Sequence, residues 1–144
     1  MSQDTDLKTT IESRLFAVSG FPDANHRAIE DASFVPPDAS STWAVIHHRL
    51  GAEQLKTLPA SGGRLWKFGF SQVDLMVPLE AGRGALDTLA DAVRAAFPAR
   101  LMLSVGGIGL EVRASQRSGM QRRGGWLWDH VDIYWTLRAT NPAF

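Results

Sequence analysis

The sequence predicts an α+β fold in which one mainly antiparallel β-sheet carries two α-helices on a single face. Apolar residues recur at helical spacing in two stretches, residues 5–18 and 85–97. Between and after them lie stretches of strand type, residues 42–50, 65–77 and 101–138, whose links are mostly of hairpin length. The resulting order, α-β-β-α-β-β-β, favours neighbouring antiparallel strands over parallel strands joined by helical crossovers.

The first helix has a recognisable start, stripe and end. Asp4 or Thr5 can cap its amino terminus, and Gly20 with Pro22 ends it. Its apolar side chains recur every three or four residues, at Leu7, Ile11, Leu15 and Val18. Such a stripe is typical of a helix that packs on a sheet.

The sequence of residues 23–64 predicts two loops and one strand ahead of the long central strand. Residues 23–41 form a loop that contains a short extended piece, residues 33–35, stopped by two prolines. Residues 42–50 form a strand with two alternating faces. Residues 51–64 form a second loop.

The long strand, residues 65–77, changes its hydrophobic phase midway. Trp66, Phe68 and Phe70 have even parity, whereas Val73, Leu75 and Val77 have odd parity. A strand with one buried face needs a β-bulge near residues 71–72 to do this. The alternative is that both faces are covered, one by the core and one by a partner.

The second half predicts a helix, a hairpin, a loop and a last strand. The helix covers residues 85–97, and the hairpin pairs residues 101–104 with 108–114. Residues 115–125 form a loop rich in glycine and arginine. In the last strand, residues 126–138, the odd positions from Leu127 to Leu137 are largely apolar and form one face. The other face carries Trp126, Trp128, His130, Asp132, Tyr134, Thr136 and Arg138.

The composition limits the function. The 144 residues suit one domain, residues 1–144, with zero net charge and no cysteine. A chain without basic excess is a poor candidate for non-specific binding of nucleic acid. The apolar runs are far shorter than the ~20 residues that cross a bilayer. The polar start, MSQDTDLK, is not a signal peptide, so we expect synthesis in the cytoplasm and no membrane association.

Catalytic and cofactor motifs are weak throughout. His47 and His48 are neighbours in a strand, so they point to opposite faces and cannot share a metal. No P-loop, dinucleotide fingerprint or nucleophile elbow occurs, and we expect no cofactor and no catalytic residue. The exception is His130, Asp132 and Tyr134 on one strand face, which would suit a small-molecule site. A protein interface would carry the same residue types.

Four arginines fall between Glu111 and Asp129 with no acidic residue among them: Arg113, Arg117, Arg122 and Arg123. Docking to an acidic protein patch, a solvated surface loop and contact with DNA are all compatible with this pattern.

Two segments carry a family resemblance. Residues 30–46 (EDASFVPPDASSTWAVI) and residues 69–97 (GFSQVDLMVPLEAGRGALDTLADAVRAAF) resemble the tail terminator proteins of long-tailed phages, a group that includes the minor tail protein U of phage lambda. In that pattern an extended piece ending in proline precedes a strand with an aromatic start. A glycine and a "QVDL" strand then run through proline and glycine into a helix that closes on phenylalanine.

The resemblance implies a structural virion protein and no enzyme. It implies a homo-oligomeric ring, a hexamer, that caps the head-proximal end of the tail tube and stops tube polymerisation. It also implies a surface for the head-completion or connector protein, a lumen through which DNA passes without specific binding, and assembly in the bacterial host cytoplasm. A ring would supply the second covered face of residues 65–77.

We expect the contacts of such a ring among exposed aromatic and basic residues, since tryptophan and arginine are enriched at interfaces. The candidates are Trp66, Arg117, Arg122, Arg123, Trp126 and Trp128. Two other functions stay open at this point. One is a head-closure or tail-completion connector subunit, and the other is an enzyme or ligand-binding module that uses the His130, Asp132 and Tyr134 face.

Overall fold

The computed structural model describes residues 3–29, 41–55 and 64–140. The described part folds into two α-helices and one seven-stranded sheet, with a single 3₁₀ turn (Leu79–Ala81) ahead of the second helix. The elements are α1 (Gln3–Phe16), β1 (Arg27–Ile29), β2 (Trp43–Leu55), β3 (Arg64–Pro78), α2 (Gly82–Ala96), β4 (Met102–Val105), β5 (Ile108–Arg117), β6 (Gln121–Arg123) and β7 (Trp126–Thr140). The α+β prediction is confirmed. The extended piece predicted at residues 33–35 lies outside the described residues.

The sheet has the strand order β1-β2-β3-β7-β5-β4, and β6 pairs with the beginning of β7. Every pair is antiparallel except β1 with β2, which run parallel. The prediction of a mainly antiparallel sheet is therefore confirmed, but it missed β1. Three residues give no periodicity to detect, and their place in the sheet is set by the neighbouring β2.

Both helices pack on one face of the sheet, which we call the inner face. The three apolar residues predicted within α1, namely Leu7, Ile11 and Leu15, are fully buried there, and Val18 beyond the helix is partly buried. From α2 and the strands they meet Leu86, Leu89, Ala90, Val93, Phe97, Ala44, Ile46, Val73, Leu75, Val77, Val131, Ile133, Trp135 and Leu137. The predicted cap was wrong, because α1 already begins at Gln3, which places Asp4 and Thr5 within its first turn.

The predicted bulge near residues 71–72 of β3 was wrong. The strand keeps a continuous register there with both β2 and β7. The change of phase has another cause, which is the indole of Trp135 on the inner side. A Cβ on Gly69 would lie 2.7 Å from this indole, and Ser71 accepts its N–H hydrogen bond at 3.2 Å. Trp135 therefore fills the inner side where β3 has small residues, and the aromatic residues of β3 lie on the opposite side.

Strand boundaries differ from the predictions at two loops. β2 continues to Leu55, five residues beyond its predicted end, with a register shift against β3 after Leu50. The predicted loop at residues 115–125 is largely strand, since β5 runs to Arg117 and β6 follows. Among the described residues, no helix has the length and apolar content needed to span a membrane.

Candidate functional site

The side of the sheet opposite the two helices, here called the outer face, carries the chemistry of this chain. Alternation along β2, β3 and β7 places every second side chain there. On these three strands it comprises Trp43, Val45, His47, Arg49, Trp66, Phe68, Phe70, Gln72, Asp74, Met76, Trp126, Trp128, His130, Asp132, Tyr134, Thr136 and Arg138. Neither described helix covers this face.

Three of the predicted contact residues, the tryptophans, lie on the outer face. Trp66 contacts Phe68 edge-on at 6.4 Å between ring centroids, and Trp126 contacts Trp43 edge-on at 5.8 Å. Trp128 packs against the His130 ring at 5.2 Å. These three tryptophans are only partly exposed, and each is held against a neighbouring ring.

Two guanidinium groups lie over these rings. The Arg138 guanidinium is 4.8 Å from the centre of the Trp66 ring, and the Arg123 guanidinium is 4.5 Å from that of Trp128. Both distances suit cation–π attraction. The combination of indole and guanidinium is the one that protein interfaces favour.

A polar centre lies between the aromatic groups. His47 Nε2 is 3.2 Å from Oδ2 of Asp74, and the amide of Gln72 donates to Asp74 Oδ1 at 2.8 Å. On the adjacent strand, His130 Nε2 lies 3.6 Å from Oδ2 of Asp132. The two carboxylates are recessed, with side chains 15% and 19% exposed respectively.

Asp132 is the group of this centre whose charged form the fold disfavours. Burial raises the pKa of its carboxyl, the charge of Asp74 raises it further, and His130 opposes both effects. Its Oδ1 is buried and accepts no hydrogen bond from any residue that the structure describes. The carboxylate therefore carries a charge that its own fold satisfies only in part.

The geometry offers little support for a catalytic or ligand-binding site formed by His130, Asp132 and Tyr134. The ring of Tyr134 packs against that of Phe70, with centroids 5.5 Å apart, and so does not form a cluster with His130 and Asp132. A shallow depression of about 540 Å³ adjoins Tyr134, but neither His130 nor Asp132 lines it. Within the described ranges, no group of three or more His, Cys, Asp or Glu residues could hold a metal ion.

Arg117, another predicted contact residue, lies on the inner side of the sheet. Its Nη2 is 2.8 Å from Oδ1 of Asp87 and 2.7 Å from Oδ2 of Asp129, and its Nη1 is 3.8 Å from Asp91. Burial opposes its charge, but the hydrogen bonds to Asp87 and Asp129 outweigh this and raise the Arg117 pKa. The guanidinium thereby ties β5 and β7 to α2.

Sequence reasoning missed Asp129, which holds the beginning of a projecting segment. Its side chain has no exposed surface. Its Oδ1 accepts the backbone N–H of Gly119 at 3.1 Å and that of His130 at 2.7 Å, with the Ser118 hydroxyl at 3.4 Å. The available signal was an acidic residue at an inner-face position of an otherwise apolar alternation.

The projecting segment, residues 118–125, is here called the β6 arm. All of its residues are exposed, and its middle pairs with the beginning of β7. It carries Arg122 and Arg123. Whereas Arg123 covers Trp128, the side chain of Arg122 forms no ion pair or hydrogen bond within the described ranges.

Comparison with known proteins assigns the family. The sequence model of the family described as "Phage tail terminator protein" matches residues 7–135, most of the chain. The chain belongs to the phage tail terminator family. It is therefore a structural protein of the virion, and the resemblance found in the sequence is confirmed.

Two solved structures share the fold of this chain. One, whose title states no function, has a TM-score of 0.73 and 22% identity, over 95% of this chain and 96% of that chain. Another is titled "Virion of native gene transfer agent (GTA) particle", with a TM-score of 0.50 and 16% identity, over 97% of this chain and 98% of that chain. No curated protein matches the chain. At these identities the structural likeness concerns the fold alone.

Proposed function

We propose that this protein is the tail terminator itself. Copies of the chain form a ring, most simply a hexamer, on the head-proximal end of a finished tail tube. The ring halts the addition of tube protein and offers a new surface to the head-completion or connector protein. Assembly takes place in the cytoplasm of the bacterial host, and the ring then remains in the virion.

The observation that carries this proposal, beside the family match, is the outer face. A monomer has little reason to hold contacting tryptophans and two recessed carboxylates on a sheet face that neither described helix covers. Large rigid aromatic groups lose little conformational entropy on contact and supply much buried area. A face of this kind is what a ring subunit or a docking partner would cover.

The contact residues follow from this placement. We propose that Trp66, Trp126 and Trp128 supply apolar contact area and that Arg123 supplies charge at its margin. Arg122, opposite the inner-face residue Leu127, supplies charge on the other side of the β6 arm. Arg117 is engaged by its own acidic residues. Its proposed contribution is therefore to hold the β6 arm in place rather than to touch a partner.

The charge of the chain fits a lumen through which DNA passes. The fifteen basic residues equal the fifteen acidic ones. A ring without excess positive charge would not exchange counterions with the phosphate backbone, so it would not grip the DNA. We propose that DNA passes through without specific binding.

Electron microscopy of particles assembled without this protein tests the proposal. We expect tails of uncontrolled, excessive length that fail to join heads, because nothing would halt the tube. Supplying the wild-type chain should restore uniform length and joining. Labelling the chain on purified particles should place it at the junction of head and tail.

Two outcomes would contradict the proposal. Tails of uniform length that join heads in the absence of the protein would exclude both capping and joining. Uniform tails that fail to join heads would favour a connector subunit that acts after tube completion. A variant with His130→Ala and Asp132→Ala separates assembly from catalysis, since only an enzyme would lose turnover while its particles remain normal.

A further inference from the structure

The outer face presents an acceptor for a cation. Asp74 and Asp132 lie on neighbouring strands, and the charge of Asp74 contributes to the raised pKa of Asp132. The basic groups in contact with them are the imidazoles of His47, 3.2 Å from Asp74, and His130, 3.6 Å from Asp132. One oxygen of Asp132 has no donor among the described residues. Because both carboxylates are recessed, only a long side chain could reach them.

The same chain presents a matching donor on another side. The β6 arm belongs to residues 112–128, a stretch with four arginines and no acidic residue. Within it, Arg117 is held by three aspartates, Arg123 by the Trp128 ring, and Arg113 by Thr136 at 3.4 Å. Arg122 is exposed and has no side-chain partner in the described part of the chain. It is a guanidinium on a long stem at the margin of the sheet.

The arm is also fixed in position. The carboxylate of Asp129 accepts the N–H of Gly119 at the beginning of the arm, and Arg117 neutralises that carboxylate. β6 then pairs with β7 through the register Gln121↔Trp128 and Arg123↔Trp126. A fixed arm presents Arg122 without the loop-ordering cost that a mobile segment would incur.

We propose that the β6 arm of one copy docks on the outer face of a second copy, with Arg122 bound to the carboxylates of Asp132 and Asp74. This pairing deepens the proposed function, since it rests on a ring of identical subunits. The two patches are different surfaces of one chain, so their contact is heterologous and can close into a ring. Arginine suits the recess because its planar guanidinium pairs with carboxylates and tolerates partial burial better than an ammonium group.

Another exposed arginine, Arg83, does not fit this role as well. It lies in the first turn of α2, in the helical layer on the inner side. It therefore serves as a matched control, with the same change of charge at a different place.

Charge reversal tests the pairing in the full-length chain. Arg122→Glu and Asp132→Lys should each weaken self-association at least tenfold, measured by analytical ultracentrifugation and native mass spectrometry. Arg83→Glu should leave association within about twofold of wild type. Thermal unfolding of each variant shows whether it is folded. Asp132→Asn, which keeps the side-chain shape, serves if lysine is not tolerated, and it should weaken association in the same direction.

Mixing the two reversed variants makes the test specific. In an equimolar mixture, the glutamate introduced by Arg122→Glu faces the lysine introduced by Asp132→Lys on the neighbouring copy. At the next contact the unchanged Arg122 faces the unchanged Asp132. Every contact is then complementary, so the mixture should assemble at concentrations at which each variant alone does not. An alternating ring closes only with an even number of subunits, which a hexamer satisfies. The double variant Arg122→Glu with Asp132→Lys should assemble by itself.

Cross-linking gives a second, independent measurement. Because the chain has no cysteine, Arg122→Cys with Asp132→Cys introduces the only two thiols. Because this variant lacks the proposed ion pair, it is cross-linked at a protein concentration well above its weakened dissociation constant, where a short bismaleimide should link copies into a ladder that ends at the ring number. Arg83→Cys with Asp132→Cys should give no ladder.

The outcomes separate this inference from the proposed function. A wild-type ring with harmless charge reversals, no rescue on mixing and no ladder would overturn the pairing and leave the terminator function standing. A wild-type chain that never associates, alone or with the tube protein, would overturn the ring and the pairing together. Rescue on mixing, with a ladder from the thiols at positions 122 and 132, supports both.

Discussion

Arg117 places its Nη2 2.7 Å from Oδ2 of Asp129, a carboxylate with no exposed surface. The pair joins the end of β5 to β7, and its hydrogen bonds continue to Gly119 and to Asp87 of α2. Removal of one partner would leave the other charge buried, which is costly in a protein interior.

Arg117→Ala should therefore lower the free energy of unfolding by about 3–5 kcal/mol, measured by urea denaturation. Arg113→Ala is the matched control, because Arg113 is exposed and has only a 3.4 Å hydrogen bond to Thr136. Its expected cost is about 0.5 kcal/mol or less. Equal, small effects of the two substitutions would show that the buried carboxylate does not depend on Arg117.

Gly69→Ala should destabilise the fold through a steric clash. A Cβ at this position would lie 2.5 Å from the carbonyl oxygen of Arg49 and 2.7 Å from the Trp135 indole. Backbone and a buried ring must both shift, at a cost of about 2–3 kcal/mol. Gly84→Ala is the control, since a Cβ in the first turn of α2 meets nothing within 4 Å. Alanine there should stabilise the helix by about 0.5–1 kcal/mol, and thermal unfolding distinguishes the two. A tolerated Gly69→Ala would disprove the close approach.

Ser71→Ala should break a buried relay of hydrogen bonds. Trp135 Nε1 donates to Ser71 Oγ at 3.2 Å, Ser71 Oγ lies 2.8 Å from His48 Nδ1, and His48 Nε2 lies 2.7 Å from Glu12. One tautomer satisfies all three contacts, with His48 protonated on Nε2 and accepting the serine hydroxyl on Nδ1. Loss of the hydroxyl leaves two buried ring nitrogens unsatisfied, at about 1–3 kcal/mol. Denaturation measures this cost, and a change below about 0.5 kcal/mol would count against the relay.

Nitrogen chemical shifts of the His48 ring check the tautomer directly. Nδ1 of the wild-type protein should have the shift of an unprotonated, hydrogen-bonded nitrogen. Ser71→Thr keeps the hydroxyl and should preserve this shift if the extra methyl group is accommodated.

Asp132→Asn should stabilise the isolated subunit at neutral pH. Burial and Asp74 raise the folded-state pKa of Asp132 above its ordinary value of 3.8, so the fold disfavours the charged form. The penalty is present when pH exceeds the raised pKa, and it disappears as pH falls below the ordinary value. The variant should be more stable than wild type at pH 7, and this gain should shrink towards pH 3.

The pH dependence is the decisive part of that comparison. Unfolding of wild type and variant is followed by denaturant at several pH values, with Glu80→Gln, an exposed acid, as control. A gain that is constant from pH 7 to pH 3 would show that the carboxylate charge is not its cause. The same substitution should weaken ring assembly if the proposed pairing holds.

Sequence reasoning recovered what local alternation determines. The parity of β7 placed His130, Asp132 and Tyr134 on one face, and the structure confirms that arrangement. The buried apolar residues of α1 were equally predictable, because helical spacing can be recognised within one short stretch of sequence.

The remainder depends on contacts between distant residues. Trp135 lies 66 residues beyond Gly69, and its indole explains a change of phase that suggested a bulge. From its sequence, β6 is predicted to be part of a turn-rich loop. It forms a strand only because it pairs with the edge of β7. Asp129 acquires its role from Arg117 and α2, which no short window of sequence brings together.

The hydrogen bonds by which Asp129 holds the beginning of the β6 arm have a kinetic consequence. An arm that is already ordered in the lone subunit needs no folding step when it meets its target, so association would be governed by diffusion and orientation. A terminator competes for the tube end with tube subunits still arriving. Under the proposed mechanism, loosening the arm would therefore slow capture of the end and lengthen tails, even where the finished ring is as stable as before.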